Sequence, residues 1–171
     1  MNLSELLTTA EELTQPWAKE PAQIKAERID VHIAPADLQA VVKAIFDANW
    51  GYLSAITGLD IPAPVPTAIE GQPAQLPQGD LEVLYHFCEG AAVLTLRVSL
   101  PYDPAEIPTV CNIIPSATLY ERELIELLGV TVVGTPDTSR LVLPDDWPDG
   151  IYPLRKSFTG FPATKDEENK A

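Results

Sequence analysis

The sequence predicts an α+β domain of two layers, in which about four strands of a mixed sheet carry helices on one face and an extended C-terminal ribbon follows. Three observations carry that expectation. Residues 28–33 alternate Ile29, Val31 and Ile33 against Arg28, Asp30 and His32, the period of a half-buried strand. Leu38, Val41, Val42, Ile45 and Phe46 recur at the spacing of a single helical face. Leu81–Cys88 and Ala91–Ser99 are strand-like runs joined at Glu89-Gly90, which predicts a hairpin. The resulting order is β-α-β-hairpin-α.

Each element has its own signal. Residues 1–27 hold a short amphipathic helix, with Leu3, Leu6, Leu7 and Ala10 on one side. Pro16 ends it, and Pro16–Lys25 reads as a linker. Residues 28–114 form the α+β domain. Pro35 sits in the first turn of its helix, where a missing N–H costs nothing, and Gly51 supplies the stop after Trp50. Tyr52–Leu59 returns as a strand. Five prolines make 60–80 a surface loop with polyproline character. In the hairpin, Val83, Tyr85 and Phe87 share one face and Leu84, His86 and Cys88 the other, while Arg97 requires an edge or a wet face. Pro101, Pro104 and Pro108 hold an irregular crossing.

Residues 115–158 are the most densely marked part of the chain. Ser116 is a favourable helix N-cap. Ala117, Tyr120, Leu124, Leu127 and Leu128 make an apolar arc. Arg122, Glu123 and Glu126 make a polar one, with Arg122 and Glu126 at a pairable i, i+4 spacing. Glu121 projects beside the apolar arc, and a carboxylate there needs a partner. Gly129 terminates the helix. A turn-rich ribbon follows, too poor in patterned apolar sequence to fold alone. Residues 159–171 are a polar tail expected to fray.

Composition narrows the function. With 46% apolar residues the chain can build a core. A formal charge of −14 argues against nucleic acid and against anionic lipid as partners. No apolar run is long enough to span a bilayer, and the acidic N-terminus lacks the basic region of a secretory leader. Cys88 and Cys111, without CxxC spacing, fit a reduced cytosolic setting.

The sequence holds no GxGxxG, P-loop or GxSxG. His86 and Cys88 could share a metal, yet a third ligand is missing. Asp145, Asp146 and Asp149 lack calcium-loop spacing. What remains is charge on a ribbon stiffened by proline: Glu121, Arg122, Glu123, Asp137, Arg140, Asp145, Asp146 and Arg155, interspersed with Pro136, Pro144, Trp147, Pro148 and Pro153. Arg and Trp are favoured interface anchors, and proline lowers the entropy lost on docking. The residues by themselves therefore point to a protein–protein interaction subunit with no catalytic set of its own.

The runs Y-E-R-E-L-I-E-L-L-G-V, G-T-P-D-T-S-R-L-V-L-P-D-D-W and Y-P-L-R-K, spanning Pro115 to Lys156, resemble the respiratory complex I 30 kDa subunit family (the C/J type of NADH:quinone oxidoreductase). The same family supplies a subunit of membrane-bound, energy-converting NiFe hydrogenases. The resemblance implies a docking subunit of the peripheral arm, on the cytoplasmic side of a proton- or sodium-translocating oxidoreductase, touching the membrane only through the complex. It implies no cofactor in this chain, with Fe–S clusters, flavin or a NiFe centre in partner subunits. The implied partners are a large hydrogenase-like (49 kDa-type) subunit and a small Fe–S subunit.

By the match, Glu121, Arg122 and Glu123 fall on the family's E-R-E. Pro136, Asp137 and Arg140 fall on its proline-aspartate-arginine turn, and Pro153, Leu154 and Arg155 on its P-L-R. With Asp145, Asp146 and Trp147 these form the expected partner-binding set. Leu119, Thr135 and Ser139 replace the family's usual Trp, His and second Arg, and D-G-I-Y-P-L-R resembles the hydrogenase branch. The alternatives are the equivalent hydrogenase subunit and a free-standing interaction module using the 60–80 loop.

Overall fold

The computed structural model describes residues 2–63 and 79–161. The expected proline-rich loop and polar tail therefore lie largely outside the described residues. Helix α1 (Leu3–Thr14) opens with a reciprocal capping box between Asn2 and Glu5. Strands β1 (Gln23–Lys25) and β2 (Arg28–Ile33) follow, then α2 (Leu38–Asp47), β3 (Tyr52–Ile61), β4 (Asp80–Glu89) and β5 (Ala92–Pro101). Short β6 (Glu106–Pro108), α3 (Ala117–Leu128) and short β7 (Thr131–Val133) complete the strands and α-helices of the described residues.

The main sheet has five strands in the order β1-β2-β5-β4-β3. Only β2 and β5 run parallel; the other neighbours are antiparallel. The expected two-layer α+β class holds, with five strands in place of about four. The added strand, β1, lies in the stretch that reads as a linker. Its three residues are all exposed, and pairing with β2 defines it. Short β6 and β7 form a separate parallel pair.

Strand alternation sorts the two sheet faces. In register across the sheet, Ile29, Leu94, Phe87 and Leu53 form one inward row, and Val31, Leu96, Tyr85 and Ile56 the next. Leu6, Leu7 and Ala10 of α1 and Leu38, Val41, Val42 and Ile45 of α2 bury against this face. Helix α3 packs over β3 at Gly58, where an added Cβ would lie 2.0 Å from a Leu128 methyl and 2.8 Å from one of Leu124.

Three local expectations are corrected. The hairpin loop is Gly90–Ala91, because Glu89 still pairs with Ala92. Helix α2 ends at Asp47, and Asn49 already takes the left-handed conformation (φ 51°) ahead of Gly51. Ser116 makes no side-chain cap; Thr118 donates instead to the Pro115 carbonyl.

Arg97 lies in a central strand on the polar sheet face. It donates to both Glu82 oxygens and reaches Asp30 at 3.5 Å. On that face His86 Nδ1 lies 3.0 Å from Thr95 Oγ1, and Nε2 lies 3.2 Å from Thr57 Oγ1. Burial, then the Arg28 charge, holds the imidazole pKa below its usual 6.5. Below pH 6.5 the unfolded chain binds a proton that the folded chain resists, so stability is full above that pH and falls as the pH drops toward the folded pKa. An H86Q chain should show a flatter stability–pH curve below 6.5 in urea titrations. An unchanged slope counts against this environment for His86.

Candidate docking site

The site is built on α3 and the irregular chain after β7. The spacing of Glu121 turns it inward, toward the stretch just after β6, where it is fully buried. Its carboxylate accepts from Thr109 Oγ1 at 2.7 and 2.9 Å, from Val110 N at 2.8 Å and from Cys111 Sγ at 3.1 Å. The partner this carboxylate needs is therefore supplied inside its own domain. Glu121 is thus withdrawn from the expected partner-binding set, since a wholly enclosed group offers no surface to another protein. Burial, then the Glu121 charge, pushes the Tyr85 phenol pKa up, and its hydroxyl has no protein partner among the described residues.

On the outer side of α3, Arg122 and Glu126 do not pair with each other. Arg122 Nε donates to the Ser139 carbonyl at 2.8 Å and Nη2 to that of Arg140, while Nη1 lies 3.5 Å from Asp137. Glu126 accepts from the backbone N–H groups of Leu141, Val142 and Leu143 at 3.1, 2.6 and 3.2 Å. An irregular ribbon carries backbone groups that a sheet or helix would have satisfied, and these two side chains satisfy several of them. Asp137 accepts from Ser139 N and Oγ at 2.8 and 2.6 Å, and these bonds hold its carboxyl below the usual range.

The ribbon then folds on itself. Arg140 donates to the Pro144 carbonyl at 2.7 Å and to Asp149 at 2.8 Å. Trp147 donates to the Ile151 carbonyl at 2.8 Å, and its ring centroid lies 4.9 Å from that of Phe161 and 6.0 Å from that of Phe158. Asp145, Asp146 and Pro136 are exposed; Glu123 and Pro153 are half-buried.

The end of the ribbon caps α3. Leu154 N donates to the Leu127 carbonyl at 3.1 Å, and Arg155 Nε donates to that of Leu128. These carbonyls lack partners within the helix, and a cation there also opposes the negative end of its dipole. Gly129 holds the left-handed turn (φ 68°) beneath the Tyr152 ring, and a Cβ would come within 2.4 Å of that ring. The Arg155 guanidinium carbon lies 4.9 Å from the Tyr102 ring centroid and 5.8 Å from that of Tyr152. Tyr102 donates to Asp60, which also accepts from Lys156 N at 2.6 Å. Burial and that bond push the Tyr102 pKa up to about 12.

The ribbon is therefore fastened to its own domain, where the sequence suggested a segment ordered mainly by a partner. Once fastened, it exposes apolar groups. Among the described residues, six of the eleven exposed large apolar side chains, Leu119, Val133, Leu141, Val142, Leu154 and Phe161, lie on α3 or after it, which makes this region the candidate docking surface. Among the described residues no three His, Cys, Asp or Glu side chains converge to hold a metal, and no helix is long and apolar enough to cross a membrane.

The family model described as "Respiratory-chain NADH dehydrogenase, 30 Kd subunit" matches residues 31–164. A subunit of the F(420)H(2) dehydrogenase of Methanosarcina mazei is 35% identical over 116 residues, covering 67% of this chain and 64% of that protein. Formate hydrogenlyase subunit 5 of Escherichia coli is 49% identical over 63 residues, covering 37% of this chain and 11% of that protein. The chain thus matches less than two thirds of the length of either relative. The fold resembles a chain of the membrane-bound sulfane sulfur reductase, an archaeal respiratory membrane complex. That match has a TM-score of 0.62 at 22% identity, covering 91% of this chain and 84% of the other.

Proposed function

The chain belongs to the respiratory-chain NADH dehydrogenase 30 Kd subunit family, and on that premise we propose that it is a non-catalytic docking subunit in the peripheral arm of a membrane-bound oxidoreductase. The observation that carries this reading is the ribbon itself: its backbone is held by Arg122, Glu126 and Asp60, while Leu141, Val142 and Leu154 stay exposed. Groups that would be wasted in a monomer are what a permanent interface covers. The partner-binding set is then Arg122, Glu123, Pro136, Asp137, Arg140, Asp145, Asp146, Trp147, Pro153, Leu154 and Arg155. Several of these act by holding the ribbon in its docking shape.

In this reading the partners are a large hydrogenase-like subunit and a small Fe–S subunit, which carry the redox centres. The chain reaches the cytoplasmic face of the membrane only through them. An NADH:quinone oxidoreductase of complex I type is the first assignment. The hydrogenase-type complex is the second, favoured by the identity with formate hydrogenlyase subunit 5. Affinity purification of the tagged full chain from its native membranes separates these outcomes. The reading expects stoichiometric recovery with a large hydrogenase-like subunit, and four NiFe-ligating cysteines in that subunit select the hydrogenase assignment. Recovery of the chain alone contradicts both.

A further inference from the structure

The chain has five arginines. Four of them stand within 4 Å of a carboxylate: Arg28 at Asp30, Arg97 at Glu82 and Asp30, Arg122 at Asp137, and Arg140 at Asp149. Arg155 is the exception among the described residues. Among the described residues only its Nε has a hydrogen-bond acceptor, the Leu128 carbonyl, while Nη1 and Nη2 have none there. Asp60 lines the same pocket without pairing with it, being occupied by Tyr102 and Lys156 N.

An arginine short of acidic partners among the described residues stands out in a chain whose formal charge is −14. This one is also fixed in place. The Nε bond and the two tyrosine faces set the plane of the guanidinium, so little side-chain freedom remains to be lost on binding. The open cavity around it measures about 450 Å³ and is lined by Asp60, Tyr102, Tyr152, Arg155 and Ser157.

We propose that this cavity is a docking socket for a single carboxylate of a partner polypeptide, an Asp or Glu side chain or a chain terminus, received by Nη1 and Nη2 of Arg155. The proposal rests on the docking reading above and names the chemistry of one contact within it. A two-nitrogen fork held between aromatic walls matches the planar, two-oxygen shape of a carboxylate. A protein donor fits better than a free anion for two reasons. The surrounding negative charge repels any anion, and only a carboxylate tethered to a partner surface has further contacts to offset that repulsion. Leu154, next in the ribbon, is 54% exposed, and it also lines the neighbouring groove with Ile56, Leu124 and Leu127. A partner that covers this apolar rim removes water from the ion pair and strengthens it.

The test uses the tagged full chain and the complex it forms in native membranes. Three variants are compared with wild type: R155K, R155Q and S157E. Carbodiimide treatment of the R155K complex should couple the introduced amine to an acidic side chain or terminus of a second polypeptide, identified by mass spectrometry. R155Q should weaken association about ten-fold or more. S157E keeps Arg155 but places a carboxylate in the socket, so it should weaken association comparably while leaving the thermal melt of the chain unchanged.

Coupling only within this chain, or no coupling together with wild-type association of R155Q and S157E, overturns the socket. So does Arg155-dependent binding of inorganic phosphate to the full chain with no effect of S157E on association. If subunits accompany all the variants equally, the socket fails while the docking reading stands. If no subunit accompanies even the wild-type chain, the docking reading fails with it.

Discussion

A full-length E121A chain is expected to lose about 3–5 kcal/mol of folding stability, which for a domain of this size lowers the melting temperature by roughly 6–20 °C. The reason is the set of donors left behind. Thr109 Oγ1, Val110 N and Cys111 Sγ all point at a carboxylate that is fully enclosed. Removing it leaves those donors buried without an acceptor and opens a cavity beside Thr109 and Val110. E121Q is expected to be milder but still destabilising, by about 1–3 kcal/mol, because its amide nitrogen would face other donors. Urea denaturation and thermal melting of the isolated full chain measure both. If E121A costs less than about 1 kcal/mol and instead weakens assembly, Glu121 is not enclosed, since a mere surface change falls within that range.

E126Q should act on the ribbon and leave the domain folded. Three backbone N–H groups converge on that carboxylate, and a hydrogen bond to a charged group contributes about 1.5–3 kcal/mol net of the exchange with water. Glutamine keeps one acceptor oxygen and places a donor where the other oxygen stood. The expected result is a loss of hydrogen-exchange protection at Leu141–Leu143 of about ten- to a hundred-fold, a change of roughly 1.4–2.7 kcal/mol in local opening. The melt of the core should move little, because the hydrogen bonds of the Glu126 side chain go to the ribbon and none goes to a strand of the main sheet among the described residues. The same substitution should weaken recovery with partner subunits, since it loosens the surface carrying Leu141 and Val142. Unchanged protection at these amides would show that Glu126 does not fasten the ribbon.

Elements with a strong period were legible in the sequence. The alternation of Ile29, Val31 and Ile33 and the stripe from Leu38 to Ile45 fall where they are expected, in β2 and α2, but Phe46, the last residue of the expected stripe, is 58% exposed. Elements defined only by distant partners were not. Strand β1 is three exposed residues whose strand character comes from β2, and β6 with β7 is a parallel pair joined across the whole of α3. The site was legible in the same uneven way. Glu121 stood out on the helical wheel as a charge needing a partner, but its donors lie ten to twelve residues earlier, beyond any local pattern. Arg122 and Glu126 have the spacing of a helix-surface ion pair. Ribbon backbone, which otherwise lacks partners, competes for both and prevails. Arg155 carried a motif-level signal, yet Tyr102, which supplies one wall of its socket, is 53 residues away (155 − 102).

Hydrogen exchange on the full chain, alone and within the complex recovered from its native membranes, tests most directly whether the ribbon is already fastened to its own domain and whether the fastened surface is what a partner covers. Leu141–Leu143, Leu154 and Lys156 have amides bonded to Glu126, the Leu127 carbonyl and Asp60. These amides should be protected in the isolated chain and slow further in the complex. Exchange of the same amides at unprotected rates in the isolated chain, or no added protection in the complex, would contradict it.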